Sequence, residues 1–249
     1  RQEMDDFIEM YSEFKIPFWV NTRPETVKAE VLSGLIDVGL DRMSIGLEHG
    51  NFDYRKNILK RNPTNELLLK HLEIIADSGV VFSINCILGL VDETREMVFE
   101  TIEFCRKLRN FDAITISIFT PYHGTELRSL AVKKNYLDEN VLTTHTTSSS
   151  LLNMPFFKSD EIDGMFRTFM MYVRFEKALW PEIKKAEKFD KQGNDVWRKL
   201  YYLYQERYYS VDQTGKKIEL EVPDDVTIKH PKGDHWEEVF GAMSKTQLR

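Results

Sequence analysis

Apolar residues recur at helical spacing near the start of the chain. Met4, Phe7, Ile8, Tyr11 and Phe14 predict a helix over residues 2–15 with one buried stripe. Four later segments, 16–23, 41–49, 80–89 and 113–120, read as strands that end in polar residues and lead into helices. The intervening helices are carried by Val27, Val31, Leu35 and Val38, by Leu67, Leu68, His71, Ile74 and Ile75, and by Val98, Ile102, Cys105 and Leu108. Pro24 suits a first helical position, Thr64 an N-cap, and Gly39 and Gly79 helix ends. The connection 51–63 is polar, with a helical piece around residues 54–60. Strands alternating with helices imply a parallel sheet and an α/β fold.

After Pro121 the alternation stops. A short helix is predicted over 124–132 and a Thr/Ser-rich loop over 143–150. Ser159 is placed to cap a long helix bearing Ile162, Phe166, Phe169, Met170 and Val173, and Pro181 to start another. Gly193 or Asn194 precedes a third, marked by Val196, Trp197, Leu200, Tyr201 and Tyr204. Residues 217–222 could form a strand in a polar tail. The expected organisation is therefore a partial (βα) barrel over 1–132, a helical C-terminal extension over 133–210, and a polar tail over 211–249 with a short hairpin.

Side chains alternate across a strand with period two. In the second strand Met43, Ile45 and Leu47 oppose Arg42, Ser44, Gly46 and Glu48; in the third, Phe82, Ile84, Cys86 and Leu88 oppose Ser83, Asn85, Ile87 and Gly89. A parallel strand covered on both sides is usually apolar on both. Here one face is apolar, to meet the helices, and the other is small and polar, to line a cavity. A half-covered sheet with its polar face in water is the alternative. The segments Ser44-Ile-Gly-Leu-Glu-His-Gly50, Ile87-Leu-Gly-Leu-Val-Asp-Glu-Thr94 and Thr120-Pro-Tyr-His-Gly-Thr-Glu126 place candidate chemistry where βα-barrel enzymes build their sites.

Composition narrows the class. Of 249 residues 42% are hydrophobic and 12% aromatic, which suits a globular core, and the net charge of −6 gives no basic face for nucleic acid. No apolar run nears the roughly 18 residues of a membrane span. The two cysteines, Cys86 and Cys105, stand in unlike contexts, which argues against a disulfide framework and for a reducing cytoplasm. Both are expected to be small core side chains.

Taken in order, Asn21-Thr-Arg-Pro24, Ser44 through Gly50, Leu59-Lys-Arg-Asn-Pro-Thr64, Ile87 through Thr94 and Thr120 through Thr125 resemble the radical S-adenosylmethionine (SAM) superfamily. The likeness is to its cobalamin-binding-domain class, and residues 171–185 resemble that class's helical tail. The resemblance implies a radical SAM, TIM-like partial βα barrel whose strand ends hold SAM. It implies that Ser44 and Glu48 contact polar parts of SAM, that Arg61 pairs with its carboxylate, that Asn85, Ile87 and Gly89 pack against adenine, and that the backbone of Thr120 and Pro121 meets the adenine edge. Each has a plainer reading: Glu48 neutralising an arginine, Arg61 a surface arginine before a helix, Asn85 bonding a neighbouring strand. Val91-Asp92 stands where the family often has Pro-Gly, and His123 where it often has Pro. His49, His123 and His145 follow no metal-ligand pattern.

Family chemistry also needs a [4Fe–4S] cluster held by three thiolates, typically C-x-x-x-C-x-x-C, and two separated cysteines cannot form it. The family's first strands and a cobalamin domain are likewise missing from the sequence. The expectation is the C-terminal part of a longer enzyme. Its parent would bring the cluster, cobalamin and an electron donor, and would act on a small-molecule substrate by radical or methyl-transfer chemistry. A binding or scaffold module with a degenerate barrel is the main alternative. An unrelated barrel using Glu48 and His49 for acid–base chemistry is a third reading, lacking a second catalytic group beside them.

Overall fold

A computed structural model describes residues 2–143 and 149–209. The chain starts with helix α1 (Gln2–Tyr11), strand β1 (Phe18–Thr22), helix α2 (Ala29–Asp37) and strand β2 (Leu40–Glu48). Helices α3 (Phe52–Asn57) and α4 (Asn65–Ser78) lead to strand β3 (Val81–Leu88), and α5 (Arg95–Cys105) leads to β4 (Ala113–Ile118). Beyond the sheet come α6 (Glu126–Lys133), α7 (Ser159–Arg174), α8 (Trp180–Ala186) and α9 (Lys191–Tyr208). The suggested strand 217–222 and the tail around it lie outside the described residues, as does His145.

The four strands form one sheet in the order β1-β2-β3-β4. β1 pairs parallel with β2, and β2 parallel with β3. Each crossover moves one place in the same direction, which is the winding of a βα barrel. The α/β fold with parallel strands expected from the sequence is therefore present. The chain divides into two compact units. One comprises the residues up to Ile87 with Glu93–Ser117; the other comprises Leu88–Asp92 and the residues from Ile118.

The faces of β2 and β3 follow their period-two pattern. Met43, Ile45, Leu47, Phe82, Ile84, Cys86 and Leu88 are all buried, while Ser44, Gly46, Glu48, Ser83, Asn85 and Ile87 stay half-exposed. Threonine side chains cap three helices: Thr64 accepts from Leu67 N, Thr94 from Met97 N and Thr125 from Arg128 N. Gly79 ends α4 with φ +79.

Several expectations are corrected. Helix α1 stops at Tyr11 and buries none of its residues; Met4 and Phe14 of its supposed stripe are exposed. The apolar positions repeat correctly, but the side chains that meet α2 cover only part of them. Gly34 admits Ile8 there, since a Cβ at Gly34 would lie 2.8 Å from Ile8 Cδ1. Pro24 opens a separate 3-10 turn, Pro24–Thr26, and α2 begins only at Ala29. Ser159 is the first residue of α7 and not its cap; its hydroxyl donates to Ser150 O. Asp190 caps α9 by accepting from Gly193 N, so Gly193 and Asn194 fall inside that helix.

Candidate functional site

The site begins with a sharp change of direction at the end of β2. Glu48 has φ +68, and His49 N donates to Leu47 O at 2.9 Å. This is a γ-turn with a left-handed glutamate at its centre, a conformation that costs a non-glycine residue about 1–3 kcal/mol. The β2–β3 register shifts at the same place, between Gly46 and Glu48. The turn folds the Glu48 side chain back over the strand: a Cβ on Gly46 would collide with Glu48 Oε1. Gly46 thus leaves the space that the Glu48 carboxyl occupies.

Two buried guanidinium groups bracket the turn. Arg61 Nη2 donates to Gly46 O at 2.9 Å and Arg61 Nη1 to Leu47 O at 3.3 Å. Arg55 Nη1 donates to His49 O at 2.8 Å and to Gly50 O at 3.1 Å. Arg55 Nη2 reaches on to Pro63 O at 3.0 Å and Asn65 Oδ1 at 2.7 Å. A planar fork with five donors can hold several carbonyls at once, where a lysine cannot. Burial, then the neighbouring Arg61 guanidinium, pushes Arg55 down to about 10, which still leaves it protonated at neutral pH.

Arg61 is therefore no surface arginine. Besides the carbonyls it lies 3.7 Å from Glu48 Oε1 and 3.5 Å from Glu25 Oε2. Its guanidinium already closes the end of β2. Asn85 does bond a neighbouring strand, donating from Nδ2 to Ser44 Oγ at 2.8 Å, and Ser83 Oγ donates to Ser44 Oγ at 3.4 Å. Ser44, Ser83 and Asn85 thus form one polar ladder on the open face of β2 and β3, with Ile87 further along that face. Glu48 is set above Gly46, the register partner of Asn85.

Burial raises the Glu48 carboxyl above its ordinary value, with Arg61 and then Arg23 pulling it back down. A carboxyl raised in the fold stabilises the folded chain while it is protonated, below its unfolded value near 4.5. That contribution is lost as pH rises through the folded value. Glu48→Gln carries no charge at any pH, so it should raise the thermal unfolding midpoint at pH 7 and change it little at pH 4. A variant less stable than the parent at pH 7 contradicts this assignment.

In the second unit, Gly89 has φ +73, and a Cβ there would lie 3.1 Å from Ile162 Cγ2 and 3.6 Å from Ser150 Oγ. Asp92, at the position where the resemblance offers glycine, takes φ +64, the conformation a glycine would supply, and pairs with Lys134 at 2.8 Å. Pro121 O accepts from the buried Arg128 Nη1 at 2.9 Å, while Arg128 Nη2 holds Glu139 O and Val141 O, both at 2.8 Å. Tyr122 N donates to Thr120 O at 2.9 Å. His123 is exposed.

Sequence reasoning missed two features. Arg55 is the largest fully buried side chain among the described residues. It sits in a six-residue helix within a polar connection, where hydrophobic periodicity carries no signal. His49 is fully buried as well. Its Nε2 lies 3.0 Å from Glu93 Oε1, and neither side chain is exposed to solvent. That gives His49 the neighbouring carboxylate that the sequence did not.

The residues of this chain do not fit an iron–sulfur cluster. Cys86 and Cys105 are its only cysteines, and both are buried. A hydrogen bond with the Cys105 thiol, and then burial, push the Cys86 thiol well up, away from the thiolate that iron requires. Among the described residues no group of three or more His, Cys, Asp or Glu could hold a metal ion. Nor is any described helix long and apolar enough to cross a membrane.

Comparison with known proteins gives the following likenesses. An uncharacterised methyltransferase of Pyrococcus horikoshii is 32% identical over 114 residues, which is 46% of this chain. The chain spans about a quarter (24%) of that relative's length. Coproporphyrinogen III oxidase of Escherichia coli, a radical SAM enzyme, aligns with a TM-score of 0.47 and 15% identity over 70% of this chain and 38% of its own. The radical SAM methyltransferase TsrM of Kitasatospora setae, solved with cobalamin and a [4Fe–4S] cluster, aligns with a TM-score of 0.46 and 11% identity over 80% of this chain and 48% of its own. Residues 1–105, which carry β1–β3 and the turn at Glu48, match the family model of the radical SAM superfamily.

Proposed function

We propose that the polar face at the ends of β2 and β3 holds S-adenosylmethionine, as part of an enzyme of radical or methyl-transfer chemistry. One observation carries the reading: a glutamate forced into a left-handed turn is laid over a glycine beside the Ser44–Asn85 ladder. SAM brings a sulfonium and an α-ammonium, two cations for which a carboxylate is the natural partner. It also brings ribose hydroxyls and an adenine. Ser44 and Asn85 offer hydrogen bonds to these, and Ile87 offers apolar contact. Arg61 is assigned to the end of β2 and the Glu48 carboxylate, with the SAM carboxylate as its further partner.

A bound cation also offsets what Glu48 loses by burial, so binding favours the charged carboxylate and should weaken as pH falls through its folded value. The family match over residues 1–105 supports the SAM reading, and the methyltransferase relative supports methyl transfer. The cluster, its electron donor and cobalamin would come from outside this chain, since its own thiols do not fit the cluster.

Thermal unfolding tests the reading. A ligand that binds only the folded chain stabilises it by about 2.7 kcal/mol at 100 times its Kd. SAM should raise the unfolding midpoint, and S-adenosylhomocysteine, which lacks the sulfonium charge, should raise it less. No shift with millimolar SAM contradicts the proposal.

A further inference from the structure

We propose that His49 and Glu93 are positioning residues that hold Glu48 in its left-handed turn, with its carboxylate over Gly46. The inference rests on the SAM reading for its purpose but stands on geometry of its own.

Glu48 is the last residue of β2 and stands next to a second anchored segment. On one side, β2 pairs with β3 up to Glu48 itself, opposite Cys86 past the register shift, and Arg61 holds the carbonyls of Gly46 and Leu47. On the other, residues 49–51 are docked on α5. Gly50 N donates to Thr101 Oγ1 at 2.8 Å, and a Cβ at Gly50 would collide with Thr101 Cα. Asn51 Nδ2 donates to Glu100 Oε2 at 2.8 Å.

The His49 ring is fixed within this docked segment. Its Nδ1 accepts from Asn51 N at 3.0 Å, and its face stacks on Tyr54 with centroids 4.6 Å apart and planes at 27°. Its Nε2 lies at ion-pair distance, 3.0 Å, from Glu93 Oε1. Glu93 immediately precedes Thr94, the N-cap of α5. The pair therefore ties the residue after Glu48 to the start of the helix that receives Gly50 and Asn51. Both side chains have 0% exposure, so the pair is shielded from water.

Neither His49 nor Glu93 lies on the open sheet face, and a glycine at 48 would take φ +68 without steric cost. The chain instead places a glutamate there and imposes the turn from both sides. Such imposed strain is characteristic of a side chain held ready for a ligand. The charged groups around the Glu48 carboxyl are Arg61 and Arg23, with Glu25 on the far side of Arg61.

The test uses the full chain and two readouts. Carbon-13 NMR of the glutamate carboxyls follows the Glu48 titration. In the parent it should lie above the ordinary range, and in Glu93→Gln it should move toward the ordinary value as the turn relaxes into solvent. Glu93→Asp, which keeps the charge and shortens the reach, should move it the same way by less, and serves if Glu93→Gln does not fold. A Glu48 titration unchanged by the variant overturns the proposal. The second readout is a double-mutant cycle on SAM affinity. Glu93→Gln should weaken binding about tenfold with Glu48 present and less than twofold in the Glu48→Ala background. Equal losses in both backgrounds would mean a general structural role and overturn the positioning one. Should Glu48→Ala alone leave SAM affinity unchanged, the SAM reading fails while the titration still decides the positioning.

Discussion

Arg55→Met is expected to lower the unfolding free energy by about 3–5 kcal/mol, the high end for breaking a buried hydrogen-bond network. Methionine fills much of the same volume, so the loss should come from the hydrogen bonds. Arg55 donates to His49 O, Gly50 O, Pro63 O and Asn65 Oδ1, and the side chain is fully buried. Without it His49 O, Pro63 O and Asn65 Oδ1 lose this donor, each at about 1–3 kcal/mol unless water enters, while Gly50 O keeps Asn65 Nδ2 at 3.0 Å. Arg55→Lys should recover little, because a single ammonium cannot span carbonyls on both sides of the 51–63 connection. Urea denaturation followed by circular dichroism measures the change. A loss below about 1 kcal/mol for Arg55→Met would contradict the bracketing role, since that is the net value of one ordinary hydrogen bond.

Glu48→Ala is expected to weaken SAM binding by about 10–100-fold, which corresponds to about 1.4–2.7 kcal/mol. The estimate assumes one charge-assisted hydrogen bond to the ligand, in the usual range of about 1.5–3 kcal/mol. Its stability should not fall in parallel. The carboxyl is raised by burial, and Arg61 keeps its contacts with Gly46 O and Leu47 O when the carboxylate is gone. Loss of affinity with stability retained is what a binding group gives; a group that merely neutralises Arg61 would give the reverse.

Much of this frame was legible in the sequence because β2 and β3 repeat with a period of two. Met43, Ile45, Leu47 and Ser44, Gly46, Glu48 separate onto two faces with no further information, and so do Phe82, Ile84 and Ser83, Asn85. Thr64 and Gly79 were readable for the same local reason, since a cap and a left-handed helix end act within a few residues. The fittings around the site were not. The closeness of His49 and Glu93 depends on the segment after β2 docking on α5, and no window along the chain contains both. Arg55 has the local signature of a solvated helix residue; only the four acceptors folded around it make burial possible. Glu48 itself was picked out as a strand-end carboxylate, but its left-handed backbone was invisible, because nothing local requires that conformation of a glutamate. The stripe on α1 failed the other way: its periodicity is sound, yet no described element covers Met4 or Phe14.

The central claim is that the turn at Glu48 presents a carboxylate to SAM. Isothermal titration calorimetry of the full chain with SAM, beside Glu48→Ala at the same pH and salt, tests it most directly. The account predicts saturable binding by the parent and at least a tenfold weaker constant for the variant, with unfolding midpoints that do not fall. Equal affinities in the two proteins would contradict it.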